Sequence, residues 1–515
     1  MQYDTIVIGA GHNGLAAATL LAKAGQSVLV LEKGAQPGGA VGVTTFKDGN
    51  SVPRYAHSSI ALGRQEIADL GLSRHGLTGR EAPLSTLLLS DDGRHVFLDG
   101  ASVAYADGSA HPDAASFAAL RNRLSRFADK LAPLMTAPPP QLEGGDWREM
   151  VGLAGLAFGI RRLGAVDSRE FMRVLLSNVY DTVLDEMDDS PLAALLGVDA
   201  ILGGRQGPRA PGTVLTLLQR LRNGGNRIVP KGGMGTVASA FVEAAREAGV
   251  TVRCHAGVAA VLSEDDRVTG VETDGGERIT CGRVLSSLDP MTTMRLTGVG
   301  QFDAEDVRRV RKIRTRGAAA KVNLSLSAMP NFTGASEKQA AGRILTAQGL
   351  GDLELTYNAV KYGEMPETPI MEIVLPGRRD ADMGATLSAI VQYVPYDLEG
   401  GWTASAKKTL ESRVLDRLEK FAPGLTASVQ EAEVLTPVDI ETETGAPGGH
   451  WHHGELIADQ MLMLRPVPGM DRYEMPVSGM YLCGASTHPG GDVTGLPGCN
   501  AARQVLKGLK KRAAA

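Results

Sequence analysis

The sequence predicts an α/β protein whose first domain contains a parallel sheet, and three segments near its start support that prediction. Thr5-Ile6-Val7-Ile8 and Val28-Leu29-Val30-Leu31 are continuous apolar runs, typical of strands buried on both faces. Between them, residues 13–24 are rich in Ala and Leu and end at Gly25, a residue common at helix C-termini. A strand, a helix and a strand within roughly thirty residues form a βαβ unit, whose two strands are parallel.

The rest of the chain predicts further layers. With 515 residues, the chain exceeds what one hydrophobic core supports, so two or three subdomains are expected. Apolar residues recur at helical spacing over residues 117–131 and 171–184. From 250 to 285 the period changes to two, with polar turns, which predicts a β-meander. Strand patterns at 318–328, 371–375 and 387–394, with a helix stripe over 410–421, predict a second, mixed α/β domain.

These patterns suggest a first domain assembled from separated stretches of sequence. We expect it to comprise residues 1–75, 225–295 and 470–515. Residues 76–224 are expected to form a helical insertion or cap, and residues 296–469 a substrate-binding α/β domain.

Composition excludes several classes of partner. A net charge of −5 and a pI near 6.1 give no general attraction to nucleic acid. The four cysteines contain no C-x-x-C pair, which argues against a dithiol centre, a zinc site or a disulfide framework. No signal peptide is visible, so a cytoplasmic-type compartment is expected.

One apolar segment raises the question of a membrane. Residues 150–160 are apolar and are followed by Arg161-Arg162, but the run is far shorter than the ~20 residues of a spanning helix. We expect a buried core helix, with peripheral membrane contact as the alternative.

A glycine motif predicts a nucleotide cofactor. Gly9-Ala10-Gly11-His12-Asn13-Gly14 is a G-x-G-x-x-G string that follows a buried strand and opens a helix, and Glu32 ends the next strand. In this context Gly9 makes the tight turn, Gly11 allows close approach of a pyrophosphate, and Gly14 lets helix and strand pack closely. Glu32 is expected to bind ribose hydroxyls. The segment is therefore interpreted as a Rossmann-type dinucleotide-binding unit.

A second glycine pair favours FAD over NAD. Glu32-Lys33 is followed by Gly38-Gly39-Ala40, which NAD domains do not ordinarily carry at this position. Together with the first motif, this resembles the FAD signature of amine oxidases and phytoene desaturases. The closing segment, residues 481–503, resembles the last FAD motif of phytoene-desaturase-like proteins, and the chain is similar to the phytoene dehydrogenase-related flavoproteins.

This resemblance implies a two-dinucleotide-binding-domain flavoprotein that binds FAD. It places Val258 at the adenine and Asp492 at the ribityl or pyrophosphate part. It also implies that the closing helix, starting near Thr494, points its N-terminus at the flavin. The residues expected to bind the cofactor are Gly9, Gly11, His12, Asn13, Gly14, Glu32, Lys33, Gly38, Gly39, Ala40, Val258, Gly484, Gly491, Asp492, Val493 and Gly495.

A histidine-rich segment is the candidate catalytic region. Gly449-His450-Trp451-His452-His453-Gly454-Glu455 matches the group's pattern, and His453 can exchange a proton near neutral pH. His453 and Glu455 are the predicted catalytic residues, at a wall of the substrate cavity. A plain structural turn is the alternative reading, and no metal is expected because no set of partner ligands completes a site.

The resemblance implies desaturation of an apolar, lipid- or carotenoid-like substrate by hydride transfer to FAD. No cluster for a charged substrate is evident outside the FAD motifs. An amine or alcohol oxidase, a redox-neutral isomerase or saturase, and a flavin-bound assembly protein without turnover remain as alternatives. The electron acceptor is left open between oxygen and quinone, and no tight NAD(P)H site is expected.

Overall fold

A five-stranded parallel sheet forms the centre of the first domain. The computed structural model describes residues 2–60, 62–140 and 147–514. The strands lie in the order Thr251–Arg253, Val28–Leu31, Thr5–Ile8, Val284–Ser286 and Met480–Leu482, and every neighbouring pair is parallel. The helix His12–Lys23 joins Thr5–Ile8 to Val28–Leu31, which confirms the predicted βαβ unit.

Three helices cover one face of this sheet. The helix Leu496–Ala514 and the helix Met234–Glu247 both pack against His12–Lys23. The approach is close because Gly498 has no side chain: a Cβ placed there would lie 1.9 Å from the Asn13 carbonyl oxygen. The C-terminal helix is thereby held against the helix that follows the glycine motif.

The predicted meander forms a separate four-stranded sheet. Its order is Gln2–Tyr3, Arg278–Cys281, Arg267–Thr273 and Val258–Glu264. The first strand expected in the meander, Thr251–Arg253, instead pairs in parallel with Val28–Leu31, because it follows a helix rather than a hairpin turn.

The second domain is built on an eight-stranded mixed sheet. Its order is Val429–Leu435, Ala319–Leu326, Thr386–Gln392, Ile370–Val374, Arg343–Leu345, Thr86–Leu88, Val96–Asp99 and Ser102–Tyr105. The last three strands come from residues 86–105, where a helical insertion was expected. That expectation is wrong for these residues: Thr86–Leu88 pairs in parallel with Arg343–Leu345 and extends the sheet. The expected domain boundaries themselves stay predictions.

Both faces of the central strand Ala319–Leu326 are buried. Val322, Leu324 and Leu326 pack on the helix Ala404–Phe421. The alternate residues Lys321, Asn323 and Ser325 are polar, and they lie against residues 50–57 of the first domain. A polar strand face is therefore enclosed between the two domains.

Helices dominate residues 114–221. They are Ala114–Thr136, Trp147–Arg161, Ala165–Leu175, Val179–Leu184, Pro191–Ile201 and Thr213–Leu221. Most contribute to one core, in which the rings of Phe127 and Phe171 meet edge to face at 5.4 Å. The expectation of a buried helix over 150–160 is wrong for residues 151–160, none of which is buried, and the side chain of Met150 lies outside the described residues.

Shorter elements connect these layers. The remaining helices are Arg64–Leu70, Pro290–Thr297, Ala304–Arg311, Leu350–Lys361, Pro376–Arg379, Leu425–Ser428 and Pro437–Thr444. Two small antiparallel pairs are Val43–Thr45 with Ser51–Pro53, and Ser59–Ile60 with Arg227–Ile228.

Candidate functional site

The three glycines of the first motif have different surroundings. Gly9 has φ +92°, and a Cβ there would lie 2.3 Å from Ser287 Oγ. A Cβ on Gly14 would lie 2.2 Å from the Gly9 carbonyl oxygen. A Cβ on Gly11 would have no atom within 4 Å. The chain therefore leaves open space in front of Gly11, where the motif requires a pyrophosphate to approach.

The second glycine pair lies beside the first motif. The Gly38 amide donates to the Ala10 carbonyl oxygen at 2.9 Å, and Gly38 forms a β-bridge with Gly11. A Cβ on Gly39 would lie 3.0 Å from Gly11 Cα. The Glu32 carboxylate accepts hydrogen bonds from the Ala10 and Gly34 amides, each at 2.8 Å. These contacts hold the two turns and the end of the second strand in one position.

Lys33 lies beside Gly257, the residue before the strand Val258–Glu264. The Ala256 amide donates to the Glu32 carbonyl oxygen at 2.9 Å. A Cβ on Gly257 would lie 3.3 Å from Lys33 Cγ. The structure thus brings the start of the strand Val258–Glu264 close to Glu32, and the contact of Val258 with the adenine stays a prediction.

The closing segment lies beside the first glycine motif. A Cβ on Gly484 would lie 2.1 Å from the Ser287 carbonyl oxygen, so Ser287 lies between Gly484 and Gly9. Gly495, with φ +69°, packs against Phe241, and the closing helix begins at Leu496, two residues after the expected start. Sequence reasoning missed Ser287, although its position directly after the strand Val284–Ser286 is a usable signal.

Several buried polar atoms around these motifs lack a partner among the described residues. They are both ring nitrogens of His12, Asn13 Oδ1, Ser486 Oγ, both ring nitrogens of His488, and Asp492 Oδ2. Leaving buried polar atoms unpaired costs about 1–3 kcal/mol each, so these atoms favour a bound polar molecule here. Burial lowers the pKa of His12 to about 4, which keeps its ring neutral, with one donor and one acceptor nitrogen.

These groups fit FAD. Its phosphates, hydroxyls and ring carbonyls offer acceptors and donors to the unpaired atoms, and Gly11 leaves the required space. When bound, FAD supplies a two-electron hydride acceptor. This chain's contribution is to hold it between the glycine turn and the closing segment.

A cavity adjoins the cofactor motifs. Its volume is about 90 Å³, and it is partly open to solvent. His12, Ala40, Gly491, Asp492 and Val493 form one side of it. The other walls contain Leu202 and Arg220 from the helical region, Glu372 and Ile390 from the large sheet, and His57. The cavity therefore lies between the cofactor motifs and the second domain.

A buried network of charged groups forms the floor of the cavity. His57 Nε2 lies 3.1 Å from Glu372 Oε1, and Lys321 Nζ donates to His57 Nδ1 at 2.9 Å. Arg343 Nε donates to Glu372 Oε2 at 2.7 Å, and Arg343 also pairs with Asp199 at 2.7 Å. The network joins a loop of the first domain, three sheet strands and one helix.

Burial and pairing fix the charges in this network. Burial lowers the pKa of Lys321 to about 7. Burial, followed by the nearby Lys321, lowers the pKa of His57 to about 4, so this ring is neutral near pH 7. Burial alone would raise the pKa of Glu372, but Arg343, Arg227 and His57 hold it well below its usual range. Glu372 is thus a carboxylate that accepts from a neutral His57.

Arg220 carries a less compensated charge. Its guanidinium donates to the carbonyl oxygens of Asp199 at 2.7 Å and Leu202 at 3.1 Å. Its Nε has no partner, and among the described residues no carboxylate lies within ion-pair distance of it. The sequence showed no cluster for a charged substrate outside the FAD motifs, whereas charged side chains line this cavity. Arg220 and Arg227 reach the cavity from neighbouring positions in the sequence, and Glu372 reaches it from a distant segment.

His452, rather than the predicted His453, lines the cavity. His452 lines the cavity beside Trp451, and its Nδ1 lies 3.4 Å from the Asp492 amide nitrogen. A Cβ on Gly491 would collide with the same ring, at 1.6 Å from Nδ1. The sequence did not single out His452, because a loop has no regular repeat that tells which of two adjacent histidines faces a cavity.

His453 and Glu455 lie beyond this wall. Burial lowers the pKa of His453, with the Asp289 carboxylate opposing it, so this ring lies near Asp289. His453 is also close enough to His12 to lower the pKa of that ring. Glu455 Oε2 accepts from Arg314 Nε at 2.9 Å, and burial raises the pKa of Glu455. Neither residue lines the cavity in the part of the chain described, and their catalytic roles stay predictions.

The histidines do not form a metal centre. Within residues 2–60, 62–140 and 147–514, no group of three His, Cys, Asp or Glu side chains is arranged to hold a metal ion. His450 and His452 are 5.6 Å apart between ring centres, and burial lowers the pKa of both well below the usual value.

Comparison with known proteins supports the cofactor assignment. Residues 14–506 match the family described as flavin containing amine oxidoreductase. The chain is 32% identical to "Pyridine nucleotide-disulfide oxidoreductase domain-containing protein 2" of Rattus norvegicus, over 99% of this chain and 94% of that protein. It is 24% identical to "Phytoene desaturase (lycopene-forming)" of Pseudescherichia vulneris, over 98% of both chains.

The fold is also found in a solved oxidase. Putrescine oxidase bound to putrescine superposes with a TM-score of 0.62 at 17% identity, over 99% of both chains. The match extends over the first domain, the helical region and the large sheet. The chain therefore belongs to the flavin containing amine oxidoreductase family and is an FAD-dependent oxidoreductase.

Proposed function

We propose that this oxidoreductase dehydrogenates a substrate that has an apolar body and one hydrogen-bond-accepting group. When bound, FAD would accept a hydride from one C–H bond, the neighbouring C–H would release its proton to solvent, and a C=C bond would remain. The desaturase relative supports this reaction type. The sequence-based expectation was an apolar substrate, and we change it by adding one polar group because charged and apolar side chains both line the cavity.

The observation that carries the proposal is the position of Arg220. This side chain is 6% exposed, lines the cavity and has an unpartnered Nε. Leu202, Ile390 and Val493 line the same cavity and offer apolar surface, worth about 25 cal/mol for each Å² buried. A carboxylate, carbonyl or hydroxyl oxygen of the substrate would accept from Arg220 while its hydrocarbon part covers the apolar walls.

Amine oxidation is the second candidate. Tyr55 and Trp451 line the cavity, and aromatic faces attract an ammonium group. Against it, Arg220 and Arg227 are cations at the same walls and would repel an ammonium group. Two acidic residues line the cavity: Glu372 is already paired with Arg343 and His57, and Asp492 is assigned to the cofactor. We therefore place amines second.

Anaerobic reduction of the flavin tests the proposal. The purified holoenzyme is mixed with a long-chain unsaturated fatty acid, the hydrocarbon of equal length, a carotenoid precursor in detergent, and an aliphatic diamine. We expect the fatty acid to bleach the flavin absorbance faster than the hydrocarbon, with a product lighter by two hydrogen atoms. Arg220→Gln should raise the fatty acid concentration needed by at least about tenfold, which corresponds to one charge-assisted hydrogen bond. FAD content serves as the folding control.

Other outcomes identify the alternatives. Reduction by the diamine alone would make the protein an amine oxidase. A product of unchanged mass would indicate an isomerase, and no reduction by any compound would support a flavin-bound assembly protein. Equal rates for the fatty acid and the hydrocarbon would remove Arg220 from the proposal.

A further inference from the structure

An apolar helix lies on the surface of the helical region. Residues 151–160 of the helix Trp147–Arg161 are apolar without exception, and none of them is buried. Val151 is 58% exposed and Phe158 is 62% exposed. A helix that is apolar on all sides normally lies inside a protein or a membrane. Within the described part of the chain this helix is only partly covered, with Ile160 against the helical core.

The following helix extends this apolar surface. In Ala165–Leu175, Phe171 and Val174 are buried and attach the helix to the core. Val166 and Met172 on that helix are 80% and 51% exposed, and Leu176 just beyond it is 77% exposed. Five of the nine exposed large apolar side chains in the described part of the chain lie within residues 151–176. Such clustering marks an interaction surface rather than scattered exposure.

Unpaired arginines accompany the apolar side chains. Arg161, Arg162 and Arg169 are exposed, and none has a carboxylate within ion-pair distance among the described residues. The two acidic residues of the segment are occupied, since Asp167 pairs with Arg126 and Glu170 with Arg173. The segment is thus positive on a chain whose net charge is −5.

We propose that residues 151–176, here called the apolar-arginine surface, dock onto an anionic lipid bilayer. Apolar side chains would enter the boundary between headgroups and acyl chains, and the arginines would meet anionic headgroups. A second copy of the chain fits less well, because pairing two such surfaces would bring unpaired arginines together. None of the described helices has the length and hydropathy of a membrane-spanning segment, so the contact is interfacial. The proposal is independent of the substrate assigned above.

Vesicle sedimentation of the holoenzyme tests the proposal. We compare vesicles of phosphatidylcholine alone with vesicles that also contain phosphatidylserine. We expect stronger binding to the phosphatidylserine vesicles, weakened by salt. Phe158→Ser and the double change Arg161→Gln with Arg162→Gln should each reduce the partition coefficient by about tenfold or more. Leu355→Ser, at a residue 72% exposed on another helix, should leave it unchanged.

Two results would overturn the proposal. One is equal binding, or no binding, to the two kinds of vesicle. The other is a dimer in vesicle-free solution that Phe158→Ser converts to monomer, measured by sedimentation velocity, which would make the surface an interface between copies. FAD content of every variant reports that the fold is retained.

Discussion

Gly11 and Gly14 belong to one motif but have different roles: Gly11 leaves space for the cofactor, and Gly14 allows the chain to pack closely. Nothing in the chain lies within 4 Å of a Cβ on Gly11, whereas a Cβ on Gly14 would meet the Gly9 carbonyl oxygen. We expect Gly11→Val to fold normally and to purify without FAD, because valine occupies the space in front of the turn. Gly14→Val should lose about 1–3 kcal/mol of stability through overpacking. Absorbance and thermal unfolding distinguish the two, and a yellow Gly11→Val protein would contradict the cofactor assignment.

The adjacent histidines lead to a second residue-scale prediction. His452 lines the cavity, and His453 lies near His12 and Asp289. We expect His452→Ala to slow anaerobic flavin reduction by about 10²-fold or more, the usual scale for a positioned polar group. His453→Ala should slow it less and is the matched control. A larger loss from His453→Ala, at unchanged FAD content, would support the sequence-based assignment instead.

The buried Lys321 predicts how stability depends on pH. Its pKa in the folded chain is about 7, while an unfolded lysine titrates near 10.4. Between these values the unfolded chain binds more protons, so the free energy of unfolding rises with pH. His57, Glu372 and Glu433 are the titratable groups that face it.

Lys321→Met should remove this contribution. Urea unfolding of the holoenzyme at several pH values between about 7 and 10 measures it. We expect a shallower rise for Lys321→Met than for the unaltered protein, whose other titrating groups are the same. Identical slopes would show that Lys321 is protonated throughout this range.

At the scale of elements, the closing helix depends on its contact with the first helix. A Cβ on Gly498 would lie 1.9 Å from the Asn13 carbonyl oxygen, while a Cβ on Gly508 of the same helix has open space. We expect Gly498→Ala to cost about 1–3 kcal/mol and to weaken FAD binding, since it pushes the closing segment outward. Gly508→Ala should stabilise by up to about 1 kcal/mol through helix propensity. Denaturant unfolding and FAD titration measure both, and equal effects would contradict the close helix contact.

In the large sheet, the role of the strand Ala319–Leu326 depends on the segments that pack against it. The strand Ala319–Leu326 alternates apolar and polar residues, which would suit a sheet with one face in water. Here the polar face is covered by residues 50–57, and Lys321 contacts His57 there. Alternation predicted the strand, and the domain arrangement decided that its polar face is part of the site.

At the scale of the whole molecule, residues 2–60, 62–140 and 147–514 contain one glycine-motif βαβ unit, which serves one dinucleotide. The second sheet is mixed and packs apolar side chains against the helix Ala404–Phe421. We expect NADH and NADPH to reduce the flavin slowly or not at all. Stopped-flow mixing under nitrogen checks this. Bleaching at a rate that supports rapid turnover would require a second nucleotide site.

The sequence by itself determined the FAD-binding half of this protein. The strand, glycine turn, helix and Glu32 lie within 28 residues of one another, and short-range sterics dictate each of them. The closing glycines were assigned by resemblance instead, because the atoms that exclude a side chain at Gly484 and Gly491 belong to the distant Ser287 and His452. The requirements of the first motif depend only on residue type at fixed spacing, so they can be predicted without knowing which segments meet.

Only the tertiary structure decided the character of the cavity and of the surface. His57, Lys321 and Glu372 come from separate segments, and no local sequence pattern predicts that they form hydrogen bonds with one another. Likewise, the sequence of residues 151–160 is equally typical of a core helix, and its exposure depends on what packs beside it. Burial and charge pairing are properties of the neighbours that a fold supplies, which is why these features could not be predicted from the sequence.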